Sequence, residues 1–242
     1  MKYLSLFFWT LCSTFSAAET LTVGTFPVPL MVESGDKGVF IELTKAVAQE
    51  AGIDIVIEVY PAQRTLKMFE RNQLDILFPA LAVTMPIDHE RSDAVYIKRD
   101  YSFTVKSKPA LPSLADLSGK RVGLTAGYPY AASLLADDSI YFERVNYDSQ
   151  NVKRLLAGRI DAFVVEEKSG RAAFIQEGAL SRVSYDPVIP LSEQDVFYAF
   201  HKTTAGKQQA EKFSAALKRL KANGTFAAIM AQAKDPIDQR RE

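Results

Sequence analysis

Phe40-Ile41-Glu42-Leu43-Thr44-Lys45-Ala46-Val47-Ala48-Gln49-Glu50-Ala51-Gly52-Ile53-Asp54-Ile55-Val56-Ile57-Glu58-Val59-Tyr60-Pro61 decides the fold class. In its first half Leu43, Ala46, Val47 and Ala51 recur at helical spacing, and Gly52 stops the helix. From Ile53 to Tyr60 the chain turns β-branched, as in a strand, until Pro61 breaks it. Upstream, Leu21-Thr22-Val23-Gly24-Thr25 alternates like a strand and runs into a loop marked by Pro27 and Pro29. Downstream, Arg64–Asn72 has the pattern of a short helix, and Leu74-Asp75-Ile76-Leu77-Phe78 that of an apolar strand. The order is βαβαβ, which implies a parallel sheet with helices on both faces and right-handed connections.

The plan repeats in the second half. Lys106–Leu117, with Pro109 and Pro112 and no period, reads as a connector. Then come a strand at Arg121–Thr125, a turn at Gly127, and a helix expected from about Pro129 to Ala136 with the proline at its first position. A strand at Phe142–Tyr147, a helix at Ser149–Ala157, a strand at Ile160–Val165 and a helix from about Lys168 to Glu177 follow. Asp195–His201 is a further strand, and Gly206–Ala233 a long amphipathic helical region broken at Asn223-Gly224. Leu74-Asp75-Ile76 and Ile160-Asp161-Ala162 occupy corresponding places in the two halves, without a residue-level repeat of fixed period.

Residues 1–18 read as a targeting segment: Lys2, an apolar run from Tyr3 to Phe15, then Ser16-Ala17-Ala18 as a cleavage site before Glu19. The run is shorter than the ~20 residues of a spanning helix. Cleavage would leave 224 residues carrying 28 basic and 29 acidic side chains. The sole cysteine, Cys12, lies in the segment removed, so the mature chain would have neither a disulfide nor thiol chemistry. The charge is near balance and spread without blocks, which argues against a nucleic acid partner. His89 and His201 are not at metal-ligand spacing, and no Gly-x-Ser-x-Gly or phosphate loop occurs, so neither a metal nor a cofactor is expected.

Several stretches together resemble the periplasmic solute-binding proteins that serve polar amino acid transporters. They are Gly38-Val39-Phe40-Ile41-Glu42-Leu43, Asn72-Gln73-Leu74-Asp75-Ile76, Leu114–Gly123, Leu156-Ala157-Gly158-Arg159-Ile160-Asp161-Ala162 and Leu220–Ile229. The resemblance implies a type II periplasmic-binding-protein-like α/β fold of two lobes, each a mainly parallel sheet flanked by helices, joined by two crossover strands. Lobe 1 would be residues 19–103 plus 189–242, and lobe 2 residues 104–188. Strand carboxyl ends of both lobes would face one cleft that closes by hinge motion.

In that family an arginine of lobe 1 grips the ligand carboxylate and an acid of lobe 2 the ammonium. Arg91 matches the first, following Thr84 in a stretch like the family's Thr-x-x-Arg with extra residues between, and Glu166 matches the second. Phe26 matches an aromatic position that covers the ligand, and Tyr128 and Tyr130 occupy a lobe 2 turn where relatives carry threonine. Arg64 is a second candidate cation. Pro79-Ala80-Leu81-Ala82 departs from the pattern, because relatives place hydroxyls or glycines there and these residues offer no side-chain hydrogen bond. The implied function is capture of an amino acid or related carboxylate or amine for an ABC importer, by a periplasmic monomer. The alternatives are a ligand-sensing partner of a membrane receptor, or a small-carboxylic-acid dehydratase on the same fold, in which Glu166 would be the acid or base.

Overall fold

The computed structural model describes residues 20–28 and 31–232. The targeting segment, Pro29 and Ala233 at the end of the expected tail helix lie outside these residues. The first half of the chain forms β1 (Leu21–Thr25), α1 (Val39–Ala51), β2 (Ile55–Val59), α2 (Ala62–Glu70), β3 (Ile76–Ala80), β4 (His89–Arg91) and β5 (Tyr96–Val105). Then follow α3 (Leu114–Leu117), β6 (Arg121–Thr125), α4 (Ala132–Leu135), β7 (Tyr141–Val145), α5 (Asp148–Leu156), β8 (Ala162–Glu166) and α6 (Glu167–Gln176). The chain closes with β9 (Val183–Ser184), β10 (Ser192–His201), α7 (Thr204–Ala222) and α8 (Thr225–Met230).

The strand order is β2-β1-β3-β10-β5-β8-β6-β7, with β4 on β10 and β9 on β5. Strands β2, β1 and β3 are mutually parallel, as are β8, β6 and β7. Between the two parallel sets run the long strands β5 and β10, antiparallel to each other and to their flanking neighbours. Each changes partner along its length. β10 pairs with β5 over Ser192–Val196, with β3 from Phe197 and with β4 from Ala199. β5 pairs with β10 up to Asp100 and with β8 from there to Phe103. Two parallel half-sheets joined by two crossing strands are the two-lobe layout expected from the sequence.

Apolar residues of opposite parity explain why both faces of each half-sheet are covered. In lobe 1, Ile76 and Phe78 face one core with Phe40, Leu43, Tyr198, Phe213 and Leu217. Leu77 faces the other with Phe69, Leu74 and Phe197. In lobe 2, Phe163 and Val165 of β8 pack with Phe103, Val152 and Phe174, while Ala162 and Val164 pack with Val122, Leu124 and Leu134. Gly52 ends α1 at φ 68°, ψ 38°, a left-handed conformation that glycine adopts without cost, and its N–H reaches the carbonyls of Ala48 and Gln49.

The paired Leu-Asp-Ile and Ile-Asp-Ala stretches do the same job twice. The Asp75 carboxylate accepts the Thr22 N–H at 2.7 Å, and the Asp75 N–H donates to the Thr22 carbonyl. The Asp161 carboxylate accepts the Arg121 N–H at 3.0 Å, and the Asp161 N–H donates to the Arg121 carbonyl. Each aspartate therefore clasps the start of the neighbouring parallel strand, β1 or β6, just before its ladder with β3 or β8 begins.

Four local expectations are corrected. Strand β3 runs through Pro79 to Ala80 because its register with β10 shifts between Phe197 and Ala199, an irregularity that tolerates a residue without an N–H. Within the stretch read as a connector, α3 forms behind a capping box of Ser113 and Asp116. Pro129 is not at a helix start: α4 begins at Ala132, because Tyr130 is turned inward, its hydroxyl accepting the Thr125 N–H and donating to the Val164 carbonyl. Strand β5 was not among the elements read from sequence.

Candidate functional site

Between the half-sheets lies a cavity of about 350 Å³, within the range of small-molecule sites. Its floor is the crossing pair, with Tyr96 and Lys98 of β5 and Val196 of β10. The lobe 1 wall comes from the segment after β1 (Phe26, Val28, Met31), from α2 (Gln63, Leu66) and from the segment after β3 (Leu81, Thr84), with Phe40 and Pro79 behind. The lobe 2 wall is Gly127-Tyr128-Pro129 after β6, Glu166 at the end of β8, and Lys168, Ser169 and Ala172 on α6. Every wall segment follows the carboxyl end of a parallel strand or begins the helix after one, where open α/β sheets hold ligands.

Phe26, Thr84, Tyr128 and Glu166 are thus brought to one cavity from both lobes. Arg91, Arg64 and Tyr130 are not part of its lining. Arg91 sits on β4, which its pairing with Ala199 ties to β10. Its guanidinium is exposed, 3.2 Å from Asp195 and 5.0 Å from the Phe197 ring centre. Arg64 lies on the outer side of α2, its guanidinium 4.5 Å from the Tyr60 ring centre, in a surface depression shared with Lys67 and Arg71. Tyr130 is buried as a brace of the 126–131 loop.

Sequence reasoning missed Lys98 and Tyr96. Lys98 is buried, with its ammonium 2.5 Å from Asp100, and the other Asp100 oxygen accepts Ser192 Oγ–H at 2.9 Å. The signal was available in the alternation Lys98, Asp100, Ser102, Thr104, a polar stripe of period two whose members are all buried. Tyr96 donates its hydroxyl to Glu166 at 2.9 Å, linking the floor to lobe 2. Glu166 also caps α6, accepting the Ser169 N–H at 2.9 Å and hydroxyl at 3.1 Å.

Tyr128 donates to Asp148 at 2.8 Å, and Asp148 receives the Thr125 hydroxyl at 2.5 Å. Burial, then the nearby Glu166 carboxylate, raises the Tyr96 phenol far above its ordinary pKa; burial, then Asp148, does the same for Tyr128. Burial also raises the Asp148 carboxyl, against the opposing pull of its two hydroxyl donors. The phenols therefore face the cavity as neutral hydrogen-bonding groups with flat apolar bodies. Both histidines are spent elsewhere. His89 stacks on Phe197, and His201 stacks on Phe69 with Nε2 2.7 Å from the Leu74 carbonyl oxygen. No cluster of three or more His, Cys, Asp or Glu able to hold a metal occurs among the described residues, and none of their helices is long and apolar enough to cross a membrane.

Residues 21–233 match the profile of the bacterial extracellular solute-binding proteins, family 3. The arginine-binding extracellular protein ArtP of Bacillus subtilis is 26% identical over 218 residues, covering 86% of this chain and 84% of that one. A protein of Shewanella frigidimarina described as a sensor is 24% identical over 211 residues, covering 84% of this chain and 30% of the longer sensor. Among solved structures, the GluR0 ligand-binding core of Nostoc punctiforme with L-glutamate superposes with a TM-score of 0.67 at 22% identity, covering 89% of this chain and all of that one. An ancestral arginine-binding protein bound to arginine gives 0.63 at 21% identity, covering 89% and 98%. These superpositions establish the two-lobe fold.

Proposed function

Since the chain belongs to the bacterial extracellular solute-binding proteins, family 3, we propose that it captures a small polar solute, an amino acid or a related carboxylate or amine, between its lobes and delivers it to an ABC importer. The observation that carries this reading is the cavity itself, which takes its floor from both crossing strands and its walls from both lobes. A solute there would touch Phe26 and Thr84 on one side and Tyr128 and Glu166 on the other, so that binding favours the closed arrangement of the lobes. We assign ligand contacts to these four residues. The protein acts in the periplasm after removal of residues 1–18 and works as a monomer, since closure is intramolecular.

Members of this family are binding proteins. Three donors from Tyr96 and Ser169 already occupy the Glu166 carboxylate, the only carboxylate of the cavity lining among the described residues, which argues against its use as a mobile acid or base. A thermal-shift screen over amino acids, polyamines, organic acids and small peptides tests the reading. Saturating solute at 100 times Kd should add about 2.7 kcal/mol of stability, and no response from any solute would contradict it. A sensory role on a membrane receptor is the second reading, favoured by the Shewanella sensor and by a histidine kinase sensor domain that superposes with a TM-score of 0.65 at 20% identity. Uptake of the solute lost on gene deletion separates transport from sensing.

A further inference from the structure

We infer that the solute is a carboxylate on an apolar body, aromatic or branched aliphatic, and that Lys98, in place of an arginine, grips its anion. The inference rests on the solute-binding reading and names the substrate class of that same cleft. Only a tenth of the Lys98 side chain is exposed, yet it lines the cavity. An ammonium has three donors. Among the described residues Lys98 Nζ has one hydrogen-bond acceptor, Asp100, and stands 5.8 Å from the Tyr130 ring centre, which leaves two N–H groups beside the cavity for a ligand to take.

The charges around the cavity point the same way. Its ionisable lining is Lys98, Lys168 and Glu166, and Glu166 already accepts from Tyr96 and twice from Ser169. Asp100 already neutralises Lys98 and Glu166 has small spare capacity, so a ligand guanidinium or second ammonium finds no free carboxylate among the described lining residues, whereas an anion meets the remaining N–H groups of Lys98 and the Lys168 ammonium. On the opposite wall Phe26, Val28, Phe40, Leu66, Pro79 and Leu81 supply apolar surface, and the Thr84 hydroxyl is turned to the Leu81 carbonyl at 3.0 Å. Gln63 and the Thr84 oxygen are the neutral side-chain acceptors that wall offers an ammonium among the described residues, and it holds no carboxylate among them. Its shape and chemistry reward a hydrocarbon body.

The test uses the purified mature protein and calorimetry with 3-phenylpropanoate, 4-methylpentanoate, the two corresponding amides, L-glutamate and L-arginine. Both acids should bind, and each amide should bind at least about thirtyfold more weakly, as expected when one partner of a buried charge pair is neutralised. The double variant Lys98→Met/Asp100→Leu, which removes both charges and so leaves none unpaired, should fold and lose the acids by a similar factor. The amide comparison needs no variant and holds if the double variant fails to fold. Amides binding as well as acids, or arginine or glutamate binding more tightly than either acid, would overturn the assignment and leave the solute-binding reading standing. Silence toward these probes and toward the wider screen alike would overturn both.

Discussion

Replacing Asp100 by alanine tests whether the ion pair under the cleft is as buried as its geometry implies. Asp100 is fully buried and accepts both the Lys98 ammonium at 2.5 Å and the Ser192 hydroxyl at 2.9 Å. In Asp100→Ala the ammonium of Lys98, whose side chain is only 10% exposed, loses its counter-charge while remaining largely buried. Breaking a buried pair from one side costs about 3–5 kcal/mol, and the orphaned Ser192 hydroxyl adds to it. That is a large share of the ~5–15 kcal/mol holding a domain together. Urea unfolding of the ligand-free protein, followed by far-ultraviolet dichroism, should show the midpoint fall with an unchanged slope. Lys98→Met/Asp100→Leu should be nearer the parent than Asp100→Ala, since replacing both charges by apolar groups is often neutral or better. A loss under ~1 kcal/mol in Asp100→Ala, the size typical of solvated pairs, would refute the reasoning, as would a double variant no nearer the parent than Asp100→Ala.

Three further outcomes follow from other parts of the molecule. A Cβ on Gly206 would lie 2.0 Å from the His201 carbonyl oxygen, so Gly206→Ala should force the β10–α7 turn open and cost several kcal/mol in the same unfolding assay, roughly the scale of overpacking or more. Burial resists ionisation of Asp161, but the N–H and guanidinium of Arg121 outweigh it and hold the carboxyl below its ordinary value. A lowered carboxyl pKa gives stability that is present above the ordinary pKa near 3.8 and is lost as pH falls through the folded value; Asp161→Asn should therefore flatten the acid limb of the stability profile below that ordinary value, read by thermal melts as the pH is lowered. Arg91→Ala should leave solute affinity within about twofold by calorimetry, because its partners are Asp195 and Phe197 outside the cavity and exposed pairs contribute little.

The alternation of helix and strand was legible because each half-sheet is covered on both faces, which writes short apolar runs such as Leu74–Phe78 and Ile160–Val165 between helical periods. Strand β5 was illegible for the opposite reason. Both of its faces are buried from Asp100 to Thr104, and one of them is the polar set Lys98, Asp100, Ser102 and Thr104, so a rule that looks for an apolar run or sends polar residues outward passes over it. The same inversion hid Lys98 from the list of candidate ligand groups. Phe26, Tyr128 and Glu166 reach the cavity because they stand at or just after strand ends, a position readable from the chain alone. Where Arg91 goes depends on the pairing of β4 with β10, a contact across more than a hundred residues that local spacing does not encode. The inward turn of Tyr130 is fixed by its bonds to Thr125 and Val164, and the second of these is likewise long-range.

The central claim is that a small solute occupies the cavity between the lobes, and plugging that cavity tests it most directly. Ala172 lines the cavity from the exposed side of α6, so Ala172→Trp fills space there without disturbing a core. Calorimetry with a solute from the screen should show one site per chain in the parent protein and at least about a tenfold weaker affinity in Ala172→Trp, the size expected from more than ~1.4 kcal/mol of lost contact. The melting temperature without solute should be unchanged. Full affinity in a folded Ala172→Trp protein would place the solute elsewhere and contradict the account.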